Sequence, residues 1–450
     1  MFLKNNMKGA TFMKKRALLL FLTAALSLCG CAVSVESLLS PPKLDAQQSA
    51  IYDALKLSKG GDIHLKYPVS GQYRSAVVVK NIDDEESDEA IVFYKASNVS
   101  DSGSSLRLNF LDQQDGNWVS VYDFAALGSD IERVQFSDLG DGGTSVIVTY
   151  ALQNASDLAT SIFKYDINNP AEIYKSRHTY MELIDLNNDG SHQLFLINQD
   201  RTAGTASAQL LGWNKDNVFS LLSSAPLENT FSKCENVSIG VCDDTNSTGI
   251  FIDYSLTDGS FGSNVLVFDG EKVSPTTILP EQFIRHTNSY TPLLLSSDID
   301  GDGIIEIPST SPFPGYESLS KPEQVNYTIW YQFLSKGMSV TPEYFAYISI
   351  RNDYMLKIPS RWIGLITVKV SIADGTITFS EYSHTTDEIG EELLVIRAVS
   401  ESALEKADLS GFTPYGKNSR TGYSFYIKNN FENSFALTEA ELLDYFKIIE

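Results

Sequence analysis

The chain has 450 residues, with 34 Lys and Arg against 57 Asp and Glu and a formal net charge of −23. A surface this acidic repels nucleic acid and anionic lipid, and the sequence shows no basic patch that would reverse this, so no nucleic-acid partner is expected. Hydrophobic residues make up 43% and aromatic residues 11%, which is more apolar surface than a disordered chain carries.

The N-terminus has a basic run, Lys14, Lys15 and Arg16, then an apolar stretch from Ala17 to Leu28, then Leu28-Cys29-Gly30-Cys31. The apolar stretch is too short to remain as a spanning helix, which predicts a signal peptide over residues 1–30 and makes Met13 a candidate start. Its last four residues resemble a bacterial lipobox, and that resemblance implies a lipidated N-terminus at Cys31. Acyl chains hold a protein on a membrane at roughly 0.8 kcal/mol per buried methylene. The expected location is extracytoplasmic, anchored to the bacterial cell membrane as a lipoprotein, with membrane contact through the N-terminal lipid only.

Residues 31–69 read as a lipidated tether and a short helix. Pro41-Pro42 stiffens the spacer. Asp45 with Gln48 then forms a capping-box pattern ahead of Ala50, Ile51, Ala54 and Leu55 on one stripe. Thr438 with Glu441 gives the same signal near the other end, before Leu442, Leu443 and Phe446.

Residues 70–450 carry a repeat. Acidic turns begin at Asp83, Asp138, Asp185, Asp243 and Asp298, spaced 55, 47, 58 and 55 residues apart. That period is slightly above the blade length of the commoner propellers. Short apolar runs flank each turn, as in Ala76–Val79 and Ala90–Tyr94 around the first, and a second hairpin follows at Asp115-Gly116. Two further units lack the acidic turn: one from Phe345–Ile350 to Thr376–Phe379, the other containing Leu393–Ile396 and Tyr423–Ile427. The expected fold is therefore all-β, a seven-bladed β-propeller with short flanking N- and C-terminal helices, closed radially so that each blade buries its faces on its neighbours. Within the fourth unit, Cys234 and Cys242 lie across an expected turn. They form either a disulfide or two inert buried thiols.

In the last acidic turn Asp298, Asp300, Asp302 and Glu306 occupy positions 1, 3, 5 and 9, and Gly301 and Gly303 let the loop curl. A hard cation such as calcium takes several oxygen ligands at 2.3–2.6 Å, which these side chains and the Ile304 carbonyl can supply. Asp185, Asn187 and Asp189 make a weaker copy, since Gln193 stands where a carboxylate is expected. The turns at Asp138 and Asp83 are one and two residues short and read as metal-free. The alternative for every copy is an Asx turn whose carboxylate accepts backbone N–H groups. These loops resemble the FG-GAP or VCBS-type repeats of integrin-like propellers, which bind calcium through Asp-x-Asp-x-Asp-Gly-x-x-Asp. The resemblance implies structural calcium, with Glu306 replacing the last Asp. As a whole the chain also resembles uncharacterised lipoproteins of clostridia-type Gram-positive bacteria, a class with no established activity.

No catalytic pattern stands out. His64, His178, His192, His286 and His384 are scattered without a His-Glu-x-x-His spacing, and neither a nucleophile elbow nor a phosphate loop is present. His192 reads as a solvated loop residue. The expected function is thus a non-enzymatic surface lipoprotein that binds a protein or glycan. Trp213, Trp330 and Trp362 are candidate platform residues, and Trp362, in an expected loop after Pro359, is the best placed. The alternatives are a glycan-processing lyase or hydrolase and an envelope assembly or structural protein.

Overall fold

The computed structural model of the protein describes residues 44–60, 62–83, 85–96, 106–153, 157–166, 169–227, 230–275, 294–334 and 339–449. The leader, Cys31 and His286 lie outside the described residues. Two compact units divide the chain, Met1–Ala54 and Leu55–Glu450. Helix α1 (Ala46–Lys59) begins in the first. It starts with the expected reciprocal cap: Gln48 N–H donates to Asp45 Oδ1 at 2.7 Å and Asp45 N–H to Gln48 Oε1 at 3.4 Å. Among the described residues no helix is long and apolar enough to cross a membrane.

Among the described residues the second unit is a chain-ordered series of six antiparallel sheets, each of four or five strands. Sheets 1 to 4 span residues 63–125, 130–178, 180–227 and 233–275. Sheet 5 spans 307–357 and gains Phe446–Ile448 as a last strand, while sheet 6 spans 366–429. The inner strands are the continuous apolar runs. Glu89–Ala96, Thr144–Ala151 and Thr248–Ser255 are buried on both faces for six consecutive residues. Tight turns join them where the chain can take positive φ. Asp115 (φ 52°) and Gly116 (φ 77°) link Leu106–Gln114 to Asn117–Ala125, the geometry that a two-residue hairpin requires.

Side chains of one strand point alternately to opposite faces, so each inner strand supplies two cores. Val146 and Val148 pack with Phe93 and Phe110 of sheet 1, whereas Ile147 between them packs with Leu194 and Leu211 of sheet 3. The same pattern continues along the chain. Phe195 meets Ile252 and Leu266, Phe251 meets Ile307 and Phe333, and Leu356 meets Phe379 and Ile396.

Two expectations about the fold are corrected. Among the described residues there are six sheets, not seven units. Tyr354–Lys357 and the 345–349 stretch belong to sheet 5 with the Asp298 turn, and the later runs, from Ile366 to the strand Ser424–Asn429, form one five-stranded sheet. The miscount arose because the strand Asn326–Leu334 carries no turn signal of its own, so the runs after it looked like a new unit. Nor does the series close into a ring. Among the described residues no core cluster or strand pairing joins sheet 6 to sheet 1, and the C-terminal strand adds to sheet 5 beside Tyr354–Lys357. Helix α2 (Glu439–Tyr445) precedes that strand, and its capping box is formed by Thr438 and Glu441.

Candidate cation loop and cleft

The loop before the first strand of sheet 5 is tied to itself by its leading carboxylate. Asp298 accepts the N–H groups of Gly301, Asp302 and Gly303 at 2.7, 3.1 and 3.0 Å. Gly301 and Gly303 sit at φ 87° and 90°, in the left-handed region that glycine enters without strain. Glu306 is fully buried, and its Oε2 accepts Ile299 N–H at 3.0 Å while Oε1 has no partner. Burial, and then the nearby charges of Asp300, Asp302 and Asp298, push the Glu306 carboxyl up to about 7 against the bond from Ile299. One oxygen each from Asp298, Asp300 and Glu306 lies within 4.8 Å of the others. An all-carboxylate trio of this kind can hold a divalent cation, and it does not by itself select calcium. Asp302 is not a member, because its Oδ1 turns to Ile304 N–H at 2.8 Å.

The other acidic turns are not gathered in this way. Asp185 accepts from Asp189 and Gly190, and Asp189 accepts from Ser191. Asp138 accepts from Gly140 and Gly142, and Asp243 from Thr245 and Ser247. Gln193 stands where Glu306 does, its Oε1 accepting Leu186 N–H at 3.1 Å. The recurrent aspartate is therefore the turn's own cap.

Trp362, the expected exposed platform, is a core residue. It is 0% exposed, stacks on Phe379 with ring centroids 6.0 Å apart, and donates Nε1–H to the Phe435 carbonyl at 2.7 Å. Its neighbour Arg361 explains the burial, holding Glu441 of α2 through both terminal nitrogens at 2.6 and 2.8 Å and so clamping the segment down. Trp330 is likewise fully buried. Cys234 and Cys242 are free thiols. The strand Lys233–Val241 runs between them where a turn was expected, so they stand about 26 Å apart at 3.3 Å per residue, far beyond disulfide reach.

A cleft of about 410 Å³ lies over the leading strands of sheets 2 and 3, Asp130–Asp138 and Tyr180–Ile184. Arg133 spans it. Its Nη2 donates to the Met181 carbonyl at 3.1 Å, and its Nη1 is 3.9 Å from Glu182 Oε2. On the same wall Ser137 Oγ lies 3.1 Å from both His192 Nδ1 and the Asp138 carbonyl. A hydroxyl has one proton, so if Oγ–H goes to the carbonyl, the Ser137–His192 bond must be donated by Nδ1–H. The Nε2 lone pair is then left to act as a base. His192 is held there because its N–H donates to the Asp138 carbonyl at 2.9 Å, which joins two turns 54 residues apart in sequence. Spacing along the chain gave no sign of this pair. A second cavity, about 380 Å³ between sheets 5 and 6, has Arg351, Arg397, Lys406 and Asp374 as its charged lining and no histidine.

No protein-family model matches the chain, and no curated protein does. Solved structures show a distant likeness. One is a provisionally named 6-phosphogluconolactonase from Bacteroides fragilis: 9% identity, 73% of this chain and 92% of that chain covered, TM-score 0.24. A similarly named protein from Bacteroides uniformis shows 10% identity, 75% and 94% coverage, and a TM-score of 0.23. The periplasmic gluconolactonase of Pseudomonas aeruginosa shows 10% identity, 74% and 94% coverage, and 0.26. Likeness at these TM-scores assigns no substrate. Because no family model matches, the FG-GAP or VCBS resemblance and the clostridial lipoprotein class are not retained. The non-enzymatic binder is corrected with them, because its candidate platform, Trp362, is core.

Proposed function

We propose that the protein is an extracytoplasmic hydrolase of small polar lactones or esters, working in the cleft over sheets 2 and 3. The observation that carries this is the Ser137–His192 pair beside Arg133. His192 Nε2 takes a proton from water and the hydroxide adds to the carbonyl carbon. Arg133 stabilises the oxyanion, and the protonated imidazole returns its proton to the leaving alkoxide as the C–O bond breaks. Ser137 is a positioning residue that fixes the imidazole tautomer. Glycoside cleavage fits less well, because it uses two carboxylates and Glu182 is the one acid lining the cleft. The cleft volume suits a small ligand.

Calcium in the Asp298 loop is part of the same proposal. The donors are hard oxygens, the Ile304 carbonyl would add a fourth ligand, and the loop's place between strands makes the ion structural. The Asp185, Asn187 and Asp189 loop would bind more weakly for want of a carboxylate at Gln193. Lipid anchoring at Cys31 would keep the enzyme at the cell surface or periplasmic face.

The test is turnover of a panel of sugar lactones and chromogenic esters by the full-length protein in detergent. His192→Ala should lower kcat/KM by about 10²–10⁴-fold, the usual worth of a positioned base. Arg133→Met should lower kcat and leave the fold intact by circular dichroism. Hydrolysis that survives His192→Ala at the parent rate, or none on any substrate, would refute the assignment.

A further inference from the structure

The hydrogen bonds of the acidic loops fix a register that spacing of the aspartates obscures. In three sheets the backbone N–H of the loop's second residue donates to the side chain seven residues on: Ile299 to Glu306 at 3.0 Å, Leu186 to Gln193 at 3.1 Å and Ile82 to Glu89 at 2.6 Å. By this register Asn81, Asp83, Glu85 and Glu89 stand where Asp298, Asp300, Asp302 and Glu306 do. The loop of sheet 1 is thus the same length as the cation loop of sheet 5, not two residues short.

The likeness extends to an unmet polar atom. Glu89 is 1% exposed, its Oε2 is taken by Ile82, and its Oε1 has no partner, as at Glu306. Ala90 pairs with Leu111 in the antiparallel ladder, which makes Asp112 the next residue opposite Glu89. Asp112 is 3% exposed, and Tyr165, 5% exposed, brings a hydroxyl that also lacks a partner. Burial, and then the charges of Asp112, Glu89 and Asp83, raise the Tyr165 hydroxyl pKa. Buried like charges directly opposite on paired strands are destabilising unless something positive stands between them. Sheet 3 supplies the contrast. Its loop ends in neutral Gln193, and the residue opposite is Gly212, beside the Leu194–Leu211 pair.

We propose a second divalent-cation site, built from Asp83, Glu89 and Asp112 at the sheet 1 loop and flanked by the Tyr165 hydroxyl. Its ion is a hard divalent cation, because every donor is an oxygen. These oxygens are not drawn within 4.8 Å of one another as the Asp298 trio is. Closing the site would take a shift of the part-exposed Asp83 side chain toward Glu89.

Equilibrium dialysis of radioactive calcium against the full-length protein in detergent tests this. Glu89→Gln should bind one equivalent fewer than the parent, and Glu306→Gln with Glu89→Gln one fewer than Glu306→Gln alone. Gln193 shows that an amide can hold the loop's N–H. Should Glu89→Gln fail to fold, Asp112→Asn reports on the same site and should lower its affinity at least tenfold. Unchanged stoichiometry in Glu89→Gln, or unchanged affinity in Asp112→Asn, would overturn the proposal, leaving the carboxyls bridged by a proton instead.

Discussion

Replacing Glu306 by Gln should stabilise the protein in a chelator and destabilise it, relative to the parent, in a divalent cation. The amide keeps an oxygen for Ile299 N–H, as Gln193 does for Leu186. Without a cation, the parent must ionise a fully buried carboxyl raised from 4.5 to about 7. Above pH 8 that ionisation costs about 3 kcal/mol, at 1.4 kcal/mol per pKa unit. The variant avoids this but leaves amide N–H groups short of acceptors at about 1–2 kcal/mol, for a net gain of about 1–2 kcal/mol. The pH signature has a definite sign. Between pH 4.5 and 7 the folded parent holds a proton that the unfolded chain has released. Its stability is therefore full below 4.5 and declines as pH rises through 7, while the variant lacks this component. Cation reverses the order: at 100 times Kd it adds about 2.7 kcal/mol to the parent through this site. Urea melts at pH 5 and 8.5, with chelator and with calcium, read all four corners. A variant less stable than the parent in chelator at pH 8.5, or an equal calcium response in both proteins, would refute the reasoning.

Trp362→Phe removes the donor to the Phe435 carbonyl and should cost about 1–3 kcal/mol in urea unfolding, with turnover unchanged. Had Trp362 been a binding platform, the loss would fall on ligand affinity instead. His178 is 2% exposed, and burial, with Arg133 adding to it, lowers its pKa to about 4. The unfolded chain takes up that proton first, so stability should fall by up to about 3 kcal/mol as pH drops from 6.5 to 4, and His178→Gln should remove that slope. Thiol titration should find Cys234 and Cys242 both free after denaturation and slow to react in the native state. Burial raises both, Cys242 to about 12.

Much of the local structure was legible because its signals are short-range. Asp115-Gly116 marks a hairpin, Thr438 with Glu441 caps α2, and continuous apolar runs such as Ala90–Tyr94 mark strands buried on both faces. The number of sheets was not legible. It depends on which strands pair, and Asn326–Leu334 joins sheet 5 through partners as far on as Ala346. Trp362 illustrates the same limit, since an Arg361–Glu441 contact 80 residues apart decides its burial. The cleft was hidden for a related reason: His192 and Ser137 belong to different sheets and meet through backbone contacts between two turns.

The acidic loops show how little sequence separates a cation site from a plain turn. Position two of the loop presents an inward N–H in sheets 1, 3 and 5, and the residue seven places on decides between the two. Glu306 and Glu89 answer it with one oxygen and keep a second, buried and unmatched, whereas Gln193 answers it with its carbonyl. In sheet 2 the residue seven after Leu139 is the buried Val146, whose side chain has no acceptor, and Asp138 closes that turn by accepting from Gly140 and Gly142. A backbone donor common to three sheets thus leaves cation demand to one side chain. An unpaired buried oxygen in low dielectric is unfavourable enough to require either a proton or a metal. Changing Gln193 to Glu should then raise the calcium capacity of sheet 3 only weakly, because Gly212 gives it no opposing carboxyl of the kind Asp112 gives Glu89.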